Sequence, residues 1–134
     1  MRTMLTRPVI RLTTVALCLA APVADAQMFS DPALESLFKA RQFAELERAG
    51  QQRLAGRADD RQAVLALAVA VQQAESTKAR REAAIARAEA CVETQPQAAE
   101  CHFALGSTLG VHAVNEGLMA MAGSAGRIQA SLRR

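Results

Sequence analysis

Apolar residues recur along this chain at helical intervals, in groups separated by polar or helix-breaking stretches. Asp31-Pro32 opens a first helix, the acid able to cap and the proline suited to a first turn, with Leu34, Leu37 and Phe38 on one side and an end near Ala40. Phe43, Leu46, Gly50 and Leu54 space out the face of a second, which stops at Gly56 and the polar 57–60. A third is expected from Asp59-Asp60 through 63–71, a run apolar nearly all round. Alanines at 63, 66, 68 and 70 mark that run as helix rather than buried strand. Such a helix needs neighbours on several sides. The fourth turns Ala84, Ile85, Ala88, Cys91 and Val92 inward and is halted by Pro96. The fifth begins near Ala98 and carries Leu105 and Leu109, while Gly117 and the glycine-rich 122–126 read as a connection. A sixth helix then opens at about Arg127 and is left unfinished. Alanine is abundant, β-branched residues are sparse and no Asn-Gly or Asp-Gly hairpin signal occurs, so the predicted class is all-α.

Ahead of these helices the pattern changes. Arg2, Arg7 and Arg11 precede a short apolar run at 12–21, and Ala24-Asp25-Ala26 supplies small residues before Gln27. Basic, then apolar, then small is the layout of a secretory signal peptide, here with cleavage expected after Ala26. A membrane span needs about 20 apolar residues, and Thr13, Thr14, Pro22 and Asp25 leave this run too short. Cys18 follows the bulky Leu17, which disfavours lipidation. The expected organisation is a leader at 1–26 and one helical domain at 27–134, periplasmic or secreted. Export changes the charge picture: the formal net of +3 falls to +1 once Arg2, Arg7, Arg11 and Asp25 are removed. With no Trp, no Tyr and four Phe there is also little on which bases stack, so nucleic acid is not an expected partner.

The helix pairs align with one another. Leu105-Gly106 follows Leu67-Ala68 by 38 residues, and that pair follows Ala33-Leu34 by 33 or 34. A two-helix unit recurring near 34 residues is the tetratricopeptide period, and short hairpins of this kind bury their apolar faces by stacking. The stretch 84–106, AIARAEACVETQPQAAECHFALG, resembles the junction of two such repeats, with Ala84, Cys91 and Pro96 closing one and Leu105-Gly106 opening the next. The first hairpin departs from the pattern, with Leu46 at the usual alanine and Ala58 at the usual proline. A narrower likeness covers 99–132. AECHFALG, a long insert holding Asn115-Glu116-Gly117, and then Gly126-Arg127-Ile128 look like the regulator of microtubule dynamics family and its bacterial relatives. The resemblance implies antiparallel hairpins at about 31–57, 60–95 and 98–134, stacked as a short tetratricopeptide-like right-handed solenoid whose third hairpin is incomplete. It also implies a binding role; microtubules are not an expected partner for an exported chain.

If first helices line a concave groove, as the resemblance implies, Gln62, Leu65, Val69, Gln72 and Gln73 face it from the second repeat and Glu100, Phe103, Ser107 and Val111 from the third. A surface so mixed and weakly charged suits a peptide or a partner helix. Packing against the neighbouring hairpin is the competing use for each of these residues. Cys91 and Cys101 stand five residues either side of Pro96 and face each other across a hairpin turn, where they form either a disulfide or two small core contacts. That pair motivates the alternative of a redox-responsive or small-molecule-binding module. His102 and His112 lack the repeated short spacing of a zinc site, and no cofactor is expected. Ser107 with His112 is a remote hydrolase candidate without an elbow or an oxyanion turn, so no enzymatic activity is expected. Gly123-Ser124-Ala125-Gly126 lacks the Lys-Ser/Thr of a phosphate loop.

Overall fold

Asp31 starts the ordered helices as its type predicts. Its carboxylate accepts from the backbone N–H of Ala33 at 2.9 Å and of Leu34 at 3.1 Å, capping a helix that begins at Pro32. The computed structural model describes residues 26–73 and 75–133, and of 118–124 the backbone alone. The expected leader, apart from Ala26, lies outside the described residues. Six helices follow in order: α1 Pro32–Lys39, α2 Phe43–Gly56, α3 Arg61–Gln73, α4 Lys78–Thr94, α5 Ala99–Glu116 and α6 Leu118–Leu132. The described residues contain no strand, and none of their helices is long and apolar enough to cross a membrane. The protein is all-α.

Each helix packs on the next, and α3 also reaches α5. The all-round apolar character of α3 follows from that position, because it is the wall between two cores. Leu65, Ala66 and Val69 join Phe29, Leu34 and Leu46 on one side. Ala63, Val64, Leu67 and Ala68 join Leu54, Ile85, Ala88, Ala104, Leu105 and Leu109 on the other. Gly50 is where α2 crosses α3: a Cβ built there would stand 3.0 Å from the Ala63 carbonyl oxygen. The chain enters the first core ahead of α1, with Phe29 1% exposed and its ring edge-on to Phe38 at 5.8 Å.

The C-terminal third departs from expectation. The glycine-rich 122–126 is no connection, and the last helix does not wait until Arg127. α6 runs through that stretch from Leu118. The turn is the single residue Gly117, whose φ of 91° and ψ of −177° lie in a region glycine alone adopts cheaply. Methionine and alanine around residues 119–125 supply helix propensity against the cost of the glycines, and α6 doubles back so that Leu132 lies 3.4 Å from the position a Gly106 Cβ would take. An ion pair between Arg127 and Glu89 ties α6 to α4.

Candidate partner-binding surface

The expected groove residues divide at α3. Leu65 and Val69, each 3% exposed, are closed off beneath the core that Phe29, Leu34 and Leu46 build over them. They are therefore corrected from partner-facing to core positions, the cover coming from the segment ahead of α1. Gln62 is engaged within the chain as well. Its Oε1 accepts from the backbone N–H of Ser30 at 3.0 Å and of Asp31 at 3.4 Å, and its Nε2 donates to Glu100 Oε1 at 3.4 Å. Gln72 turns its amide back onto the Ala68 carbonyl of its own helix at 3.1 Å, while Gln73 stays exposed.

On α5 the expected residues remain on the surface. Phe103 is 41% exposed, Ser107 and Val111 are half-buried, and Val114, which the sequence reading missed, is 69% exposed. Steps of four, four and three residues put these on one face of the helix, with Gly110 between. Continuing the spacing by one more turn would have found Val114. Ser107 satisfies its hydroxyl on the Ala104 carbonyl of its own helix at 3.1 Å, so the stripe presents little unpaired polarity. At its head, Glu100 faces Arg61 at 3.4 Å. Beside it a depression of about 190 Å³ is bounded by Met28, Leu65, Ala99, Glu100 and Phe103. Met28 thus spans from the covered face of α3 to the open face of α5.

This chain matches no family model, no curated protein and no solved structure.

The remaining candidates are built into the scaffold. Cys91 and Cys101 are joined as a disulfide across the α4–α5 turn, with Cα atoms 5.4 Å apart. Cys91 is 5% exposed and Cys101 is fully buried, which puts the sulfurs beyond direct reach of a thiol partner. His102 is buried with Nε2 at 2.8 Å from the Pro96 carbonyl, fixing the same turn. Among the described residues no group of three or more His, Cys, Asp or Glu is placed to hold a metal. Ser107 and His112, five residues apart on α5, point about 140° apart around the helix, and no hydrogen bond joins them.

Charged groups close the ends of the hairpins. Buried Arg81 donates to Glu116 Oε1 at 2.9 Å, and Lys78 reaches the same carboxylate at 3.5 Å. Partial burial would raise the Glu116 pKa, but the Arg81 hydrogen bond and the nearby Lys78 outweigh it and hold the group below its ordinary value. A second cavity of about 210 Å³ lies away from the α5 stripe, between Glu47, Leu67, Arg80 and Arg87, and is bordered by the Arg80–Glu47 ion pair.

Proposed function

We propose that this protein is an exported helical-repeat module of tetratricopeptide type that holds a segment of another protein against the open face of α5. The observation that carries the reading is the apolar stripe of exposed Phe103 and Val114 with half-buried Val111 between them, which lies along a first helix where the tetratricopeptide likeness leads one to expect a binding groove. The packing of every helix on its successor, with α3 also meeting α5, agrees with stacked hairpins. The leader pattern supports export, and Phe29, three residues beyond the expected cleavage point, is already buried in the fold. A hydrolase is not part of this reading, because nothing positions a base on Ser107.

A photoactivatable residue at Phe103 or Val114, introduced in the cell that makes the protein, tests it. Adducts with one and the same protein are expected from both positions and not from Arg48 on the outside of α2. Equal labelling at all three, or none at any, sinks the proposal.

A further inference from the structure

Residues 28–31 already show what this kind of face accepts. They form a short non-helical segment laid against α3, with Phe29 in the core beside Leu65 and two main-chain N–H groups, those of Ser30 and Asp31, on Gln62 Oε1. Moving 38 residues along the chain carries Gln62 onto Glu100 and Leu65 onto Phe103. The second arrangement repeats the first: an acceptor one helical turn before a large apolar side chain, on the same face of the next first helix. It differs in being uncovered, since Phe103 is 41% exposed. The two arrangements are continuous, because Met28 borders the depression that Glu100 and Phe103 line.

Resting on the reading of α5 as a binding face, we infer that its occupant is a short non-helical protein segment bearing an aromatic side chain next to free main-chain N–H groups. The aromatic ring lies on Phe103, where ring pairs gain beyond simple area burial. The N–H groups meet Oε2 of the Glu100 carboxylate, an acceptor-only group whose charge complements donors and whose other oxygen, Oε1, faces Gln62 and Arg61. Gln62 cannot take that role for a partner while its Oε1 serves Ser30 and Asp31.

The chain's own residues 27–32, Gln-Met-Phe-Ser-Asp-Pro with blocked ends, are the probe. Titrated into the ¹⁵N-labelled full mature protein, the peptide is expected to shift amides of α5 between Ala99 and Val114 in a saturable way. Replacing its Phe by Ala is expected to weaken binding at least tenfold, as are Phe103→Ser and Glu100→Ala in the protein. Phe103 is exposed and Glu100 half-buried beside Gln62 and Arg61, and an unchanged amide spectrum elsewhere confirms that those variants fold. No shift at millimolar peptide, or equal binding by the Ala peptide or by either variant, overturns the inference. If crosslinks from Phe103 persist while the peptide fails, this inference alone falls; if the crosslinks fail too, the binding face falls with it.

Discussion

Gly50 and Gly110 are the same residue type put to opposite uses. At Gly50 an added Cβ would meet the Ala63 carbonyl oxygen at 3.0 Å and the Ala66 Cβ at 3.3 Å. The first of these is backbone and yields only if α3 shifts. Alanine gains about 1 kcal/mol of helix propensity over glycine, whereas forcing a methyl into a packed contact costs about 1–3 kcal/mol. Gly50→Ala is therefore expected to lose stability, and Gly50→Val to lose more. Gly110 has nothing within 4 Å of the same position, so Gly110→Ala keeps the propensity gain and is expected to stabilise by about 1 kcal/mol. Urea unfolding of the variants decides it, and a Gly50→Ala protein as stable as the parent would mean that α2 and α3 cross more loosely.

Arg53, near the end of α2, links the starts of two other helices. Its Nη1 donates to Asp31, the cap of α1, at 2.5 Å, and its Nε donates to Asp60 at 2.9 Å. Asp60 in turn accepts from the Ala63 backbone N–H at 3.1 Å in the first turn of α3. The Arg53 hydrogen bond, aided by the Leu34 and Ala33 N–H groups, lowers the Asp31 pKa. Burial alone would raise that of Asp60, but Arg53, the Ala63 N–H and the charge of Arg57 together hold it below its ordinary value. Both carboxyls thus release their protons more readily folded than unfolded. Their stabilisation is complete above about pH 5, begins to fall near the unfolded value and is lost as pH drops through the lowered folded values. Urea unfolding between pH 7 and pH 2 should show a smaller acid loss in Arg53→Met than in the parent; equal losses would remove the bridge from the account. The starts of α1 and α3 were legible because their signals are local: an acid, a proline, an apolar period. The start of α6 was not, because five residues rich in glycine and alanine are turn or helix according to what they pack on, and α5 decides that from a distance.

At the scale of the whole molecule, the part of the candidate site lost to sequence reading was lost for the same reason. Leu65 and Val69 carry the right spacing for a groove, but Phe29 and Leu34, some thirty residues earlier in sequence, cover them. On α5, Phe103 stays exposed because none of the described residues that follow it covers its ring. Within the larger core, the bond between Cys91 on α4 and Cys101 on α5 adds a covalent tie to the packing that holds α5, the helix that bears this stripe. It closes a loop of 10 residues, and closing so short a loop restricts the unfolded chain by roughly 3 kcal/mol at most. Cys91→Ala with Cys101→Ala should lower stability by up to about that amount without changing which helices form, because both positions already sit among alanines and leucines. Burial sets the kinetics as well. With Cys101 fully buried and Cys91 5% exposed, a reductant must wait for the α4–α5 turn to open. Under native conditions, dithiothreitol should therefore release thiols slowly, at a rate that climbs once urea approaches the unfolding midpoint. Trapping with an alkylating agent and weighing the protein follows that release directly. Complete reduction within seconds in the absence of urea would show that the turn opens freely, and the bond would then be a site of exchange instead of a staple beneath the proposed binding face.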